Sequence, residues 1–149
     1  MNSPFNDLLG NRVLWAAVAG WLAAQLIKTV INLLQTRQFK PSYIVASGGM
    51  PSSHSALVTG LATATARMHG LGSTYFALAA VFAGVVMYDA AGVRRAVSKQ
   101  AQILNRMMDD FFHERGLDFH RLGELIGHTP IEVLAGALLG VAFGLIFGA

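Results

Sequence analysis

From Val13 to Leu34 the sequence runs about 22 residues with Lys28 as its one charged side chain. A helix of that length rises about 33 Å, enough to cross the roughly 30 Å hydrocarbon core of a bilayer. Because a helix satisfies its own backbone hydrogen bonds, lipid becomes an admissible solvent. The rest of the chain agrees. Of its 149 residues, 54% are hydrophobic and 13% charged, against about 25% charged in ordinary soluble domains. That leaves too few polar groups to cover a core in water and argues against a soluble enzyme.

Further apolar stretches follow at Ala56 to Met68, Tyr75 to Ala91 and Ile131 to Phe147, with Gly70 and Gly72 marking a turn after the first. From Val93 to Phe112 the period changes. Val93, Val97, Ala101, Leu104 and Met108 recur at helical spacing beside Arg94, Lys99, Gln102 and Asn105, the pattern of an amphipathic helix lying on the membrane or capping a bundle. Gly116 ends that helix, and Asp118 caps a short one through Ile126. The sequence therefore predicts a single all-α unit over 1–149: an integral membrane helical bundle with about four spanning helices plus an amphipathic interfacial helix. Ala56 to Met68 and Ile131 to Phe147 are near the lower limit for crossing.

Two faces carry a pattern of their own. Gln25, Lys28, Asn32 and Gln35 stack on one side of the first span, which should look into protein. Gly136, Gly140, Gly144 and Gly148 fall four apart, a flat strip suited to close helix packing. Packing within the bundle is the first use expected of this strip. A homodimer seam through Gly136, Gly140 and Gly144 is the second.

With four crossings, the loop from Thr36 to Ser53, the segment Asp89 to Arg95 and the entry to the last span at His128 share one membrane face. The polar clusters lie there. Gly48, Gly49, Met50, Pro51, Ser52, Ser53, His54 and Ser55 combine glycines for a sharp turn, a serine cap and a first helical turn whose free amides bind anions. His54 can then donate a proton to a leaving oxygen or take one from water. The competing reading is an ordinary capped helix start.

Gly127 to Glu132 reads GHTPIE, and Thr129 to Glu132 forms a capping box with proline at the first helical position. Glu132 is thus accounted for structurally. Four residues after His128, its carboxylate can equally orient that imidazole and make the far ring nitrogen a nucleophile. The cations are Lys28, Arg37, Arg94 and Arg95, with Asp89 placed to hold an arginine. Lys28 needs a partner, a ligand or a route to the interface. Arg94 and Arg95 lie about 100° apart on a helix, so one of the two faces the site, and a simple cytoplasmic charge flank explains either alone. His69, His113 and His120 show no metal-ligand spacing, so neither metal nor cofactor is expected. The absence of cysteine excludes thiolate chemistry and disulfides.

The runs GGMPSSHSA over Gly48 to Ala56, YDAAGVRR over Tyr88 to Arg95 and GHTPIEV over Gly127 to Val133 resemble, in that order, the small divergent branch of the type 2 phosphatidic acid phosphatase and vanadium-dependent haloperoxidase superfamily. Together with Lys28 the match spans most of the chain. The resemblance implies that His128 is the nucleophile that takes a phosphoryl group, that Glu132 stands where the family usually has aspartate, and that His54 protonates the leaving group. Ser52 and the amide of Ser53, in place of the usual glycine, would bind phosphate oxygens. The first motif departs: Arg37 follows Lys28 by nine residues rather than seven, with no proline after it. Leu122 occupies the position of an expected arginine, for which Arg94 or Arg95 would substitute.

The sequence thus points to a membrane phosphatase acting on a lipid or isoprenoid phosphate through a phosphohistidine, metal-independent. The alternative is a non-catalytic protein that binds or carries anionic lipid; a vanadate-dependent oxidase is a weaker rival, since it would want an exposed aqueous site. Partners are the lipid phosphate and membrane lipids, not nucleic acid, because no basic stripe with interleaved aromatics occurs. Met1 to Gly10 lacks a basic n-region and a small-residue cleavage site, so no cleaved signal peptide is expected. Outside the proposed site, Lys40, Lys99, Arg106, Arg115 and Arg121 lie on the motif face against Arg12 and Arg67 near the other. The positive-inside rule then faces the site toward the cytoplasm, in a bacterial inner membrane.

Overall fold

A computed structural model describes residues 3–37, 49–113 and 128–148, with the side chains at 93–95, 98 and 110–113 outside the description. Among the described residues there are helices and no strands. Asn11 caps the second helix through Leu14 N–H at 3.0 Å, after the short α1 (Pro4–Leu9); α2 then runs Arg12–Thr36. It stops where Arg37 turns left-handed at φ 53° and returns its N–H to Leu33 O. Ser52 caps α3 (Ser53–His69), and Gly70, at φ 81°, takes the positive dihedral that ends it. Ser73 caps α4 (Thr74–Tyr88), which continues through one π-helical turn, Asp89–Val93, into α5 (Arg94–His113). The last helix, α6, is Pro130–Phe147. The expected short helix from Asp118 to Ile126 lies outside the described residues.

α3 is the hub, packed against α2, α4 and α6, with α2 also on α6. Its contacts are made by the smallest side chains. A Cβ at Gly136 would strike the Ser52 carbonyl, one at Gly140 the Ala56 carbonyl, and one at Gly144 would sit 2.9 Å from Gly60 O. Residue numbers rise together along both helices, so α3 and α6 run parallel. Against α2 the order reverses, Gly20 meeting Ala56 and Ala16 meeting Gly60, so that pair is antiparallel. Gly136, Gly140 and Gly144 are therefore buried against α3 inside the chain, the first of the two uses expected of the strip.

The core is built of alanine, with Ala16, Ala24, Ala56 and Ala64 fully covered, while Leu26, Leu78, Val81, Leu138 and Ile146 lie exposed on the periphery. In water such a surface would aggregate; in lipid it is the expected arrangement, because close van der Waals fit rather than hydrophobic burial joins the helices. Among the described residues, three helices have the length and hydropathy to cross a membrane: Arg12–Thr36, Thr74–Gly92 and Pro130–Phe147. The sequence led us to expect about four. α3, at 17 residues, is shorter than these three and carries Ser55, Thr59 and Thr65 buried among its neighbours. Their hydroxyls bond within the bundle, as where Thr59 Oγ1 lies 2.7 Å from Ser55 O and 3.0 Å from Ala137 O. The amphipathic helix predicted over Val93 to Phe112 is α5.

Candidate functional site

The parallel course of α3 and α6 brings their N-termini side by side. His54 lies in the first turn of α3, and His128 immediately precedes α6. Their ring centroids are 6.1 Å apart with planes tilted by 60°. The expectation that the two histidines share one end of the bundle thus matches the geometry. Two helix N-termini facing the same way also add their positive ends, a field that favours an anion between them.

His128 is held from three directions. Its backbone N–H donates to Ala90 O at 3.2 Å, within the π-helical turn. Its ring Nδ1 lies 3.2 Å from Glu132 Oε2. The ring itself is buried, at 1% exposure. With Nδ1–H donating to the carboxylate, the tautomer leaves the lone pair on Nε2, where a nucleophile needs it. The same Oε2 accepts the Thr129 N–H at 2.9 Å, while Thr129 Oγ1 accepts from Glu132 N–H at 3.3 Å. Capping box and imidazole support, alternatives on sequence grounds, are therefore made by one oxygen.

The loop before α3 docks on the same residue, since Ser52 N–H donates to Glu132 O at 2.9 Å. Ser52 and Ser53 are buried, and Ser52 Oγ accepts from Ser55 N–H and Ser55 Oγ at the start of α3. That hydroxyl is engaged in capping as well as lying beside the histidines' helices. Lys28 reaches the site from α2: it is 1% exposed, its methylenes pass over Gly49, and it interacts electrostatically with Glu132. Gln25, one turn earlier, is buried too, Asn32 is half-buried and Gln35 is exposed, so the polar face of α2 turns inward only as far as the site.

Other expected residues are placed differently. Arg37 is exposed at the C-terminus of α2, about 14 Å along the helix from Lys28, and no described contact joins it to the histidine pair. Asp89, half-buried, opens the π-helical turn. Arg94 and Arg95 begin α5 directly after that turn, with side chains outside the description. His69 stacks obliquely near Tyr75 at the opposite end of α3, with ring centroids 5.0 Å apart.

Sequence reasoning missed one contributor, the Ala90 carbonyl, a backbone contact whose only trace is the helix irregularity around Gly92. Gly136, which follows His128 and Glu132 in the same motif, is where a missing side chain lets Ser52 sit against α6.

The chain is 42% identical over 151 residues to the membrane protein YuiD of Bacillus subtilis (strain 168), described as uncharacterized, covering 94% of this chain and 96% of that one. No solved structure matches it. A family model described as the divergent PAP2 family matches residues 9–143. That stretch takes in Lys28, the serine–histidine loop, the π-helical turn and the His128–Glu132 pair: the chain belongs to the divergent PAP2 family.

Proposed function

We propose that the chain is a membrane phosphatase that hydrolyses a phosphate ester carried on a lipid or isoprenoid, by way of a phosphohistidine at His128. The observation that carries this reading is the histidine pair, 6.1 Å apart between two helix N-termini, with Glu132 on the inner nitrogen of one ring. In the first step Nε2 of His128 attacks phosphorus as the ester P–O bond breaks, and His54 gives its proton to the departing alkoxide. In the second, water attacks phosphorus while His54 takes its proton, the P–N bond breaks with its electron pair returning to Nε2, and inorganic phosphate leaves with His128 restored. Glu132 compensates the positive charge that grows on the imidazole during attack.

The equatorial oxygens fall to Lys28, to Ser52 and the amide of Ser53, and to one of Arg94 and Arg95, held by Asp89. The scheme routes no step through a metal. A site at the end of the bundle suits a substrate whose headgroup meets the interface while its chain stays in lipid. The excess of lysine and arginine on that side supports a cytoplasmic orientation under the positive-inside rule, with newly made phospholipid intermediates as the substrate pool.

The test is phosphate release from a panel of lipid phosphates by the purified protein in mixed micelles. Turnover should persist in EDTA, be inhibited by vanadate and vanish in His128→Ala. Binding of anionic lipid without phosphate release, unchanged in His128→Ala, would instead establish a lipid holder or carrier. Loss of turnover in EDTA, restored by a divalent ion, would refute the metal-free scheme.

A further inference from the structure

α5 (Arg94–His113) begins two residues after a helix able to cross the membrane, Thr74–Gly92, so its first turn stands at the bilayer edge, at the histidine end of the bundle. It carries Arg94, Arg95, Lys99, Arg106, Asp109 and Asp110 within 20 residues, too many charges for a further crossing. Its described side chains fall into three sectors. Ala101 and Asn105 are buried against the rest of the chain. Val97, Ile103, Leu104 and Met107 form an exposed apolar sector, with Ile103 58% and Met107 62% exposed. Lys99, Gln102 and Arg106 form an exposed polar sector, about 130° around the helix from the apolar one.

Three sectors in this order fit a helix lying in the plane of the interface: one side leans on the protein, one enters hydrocarbon, one meets headgroups and water. A helix that only capped the bundle would bury its large apolar side chains and show its small ones. α5 does the reverse. The lipid-facing surface also leads up to it, since Val85 and Tyr88 stay exposed to the last turn of α4, and a tyrosine there sits where aromatic rings meet headgroups.

The π-helical turn between α4 and α5 is the turn whose Ala90 carbonyl accepts the His128 N–H at 3.2 Å. Both α5 and α6 pack on it, and Ala90 is buried. Because α5 continues that turn without a break, the angle at which α5 lies sets where the Ala90 carbonyl stands. We propose that the bilayer surface is the partner of the apolar sector of α5, and that this contact holds the π-helical turn and, through it, the backbone of His128. Ala90 is then a positioning residue. The surface contact is independent of the chemistry; its effect on turnover rests on the phosphatase reading.

The chain lacks cysteine, so single thiols can carry an environment-sensitive fluorophore. In phosphatidylcholine vesicles with brominated acyl chains, a fluorophore at Leu104→Cys should be quenched several-fold more than one at Gln102→Cys. Coupling is read at the His128 amide, one of five histidine amides in protein made with isotope-labelled histidine. In Ile103→Glu with Met107→Glu, which drives the sector out of hydrocarbon, exchange at His128 should quicken on the order of tenfold, as expected of local opening. The His69 amide, at the opposite end of α3, should keep its rate, and Ile103→Leu with Met107→Leu should change neither. Equal quenching at Leu104→Cys and Gln102→Cys would overturn the surface contact, as would Leu104→Cys found cross-linked to a second copy in place of quenching. An unchanged His128 rate with the sector displaced would overturn the coupling. Where the double glutamate variant fails to insert, Met107→Gln is read in the same way. A parent that releases no phosphate would sink the phosphatase reading alone, since quenching and exchange need no turnover; in an active parent the glutamate variant should lose turnover and the leucine variant keep it.

Discussion

Glu132 makes two contacts through one oxygen, and the two can be separated by substitution. Gln at this position keeps an acceptor for the Thr129 N–H, so the capping box survives. What it loses is the negative charge facing His128 at 3.2 Å. Glu132→Gln should therefore insert and melt like the parent yet lose about 10²-fold in turnover, whereas Glu132→Ala should also destabilise the start of α6 by about 1 kcal/mol, the typical worth of a helix cap. Thermal melting in detergent beside phosphate release distinguishes them. His54→Gln should lower turnover by about 10²–10⁴-fold, the usual contribution of a positioned acid, and substrates with a better leaving group should lose less; an equal loss for all esters would deny His54 that role. Much at this scale was legible in the sequence, because the residues that matter are polar groups in an apolar chain: Lys28, His54, His128 and Glu132 stand out against their neighbours. Arg37 stood out equally and is carried away from the pair by the length of α2. The Ala90 carbonyl was illegible, since no side chain advertises a backbone contact.

Among elements, the decisive contact is α3 on α6. Gly136 has no room for even a methyl group against the Ser52 backbone, and overpacking of this kind costs about 1–3 kcal/mol. Gly136→Ala should cost that much and also reduce turnover, because the strain falls on the loop that sets the distance between the two histidines. Gly84→Ala is the matched control: nothing lies within 4 Å of a Cβ there, so stability and turnover should stay near the parent's. If both variants behave alike, the α3–α6 fit does not position the site. The sequence made the elements themselves readable, since long apolar runs, caps and glycines at turns are local signals. α3 is the stretch that the sequence marks as near the lower limit for crossing: it is 17 residues long, and its buried hydroxyls are enclosed by three neighbouring helices.

For the whole molecule, the alternating directions of α2, α3 and α4 place the histidine pair and the Gly70 turn at opposite ends of the bundle. The chain contains no cysteine, so single introduced thiols report orientation cleanly. With the site on the cytoplasmic side, an impermeant reagent applied to intact cells should modify Leu71→Cys, where the parent side chain is 73% exposed, and leave Lys99→Cys on α5 untouched. The reverse pattern would move the substrate pool to the outer leaflet. The parallel α3–α6 pair, meanwhile, has an indexing problem. A strip that offers glycine at every fourth position looks nearly the same after α6 slides by one turn, about 6 Å, so the strip supplies adhesion without specifying the setting. What removes the degeneracy is a few unique polar couplings along the seam: Ser52 N–H to Glu132 O at one end, Thr59 Oγ1 beside Ala137 O in the middle, and Arg67 Nη1 to Leu145 O at the other. Arg67, at the far end of the bundle from the histidine pair, thus acts as a detent. Without it the chain would keep its grip and lose part of its calibration, and the spacing of His54 and His128 would be among the first dimensions to drift.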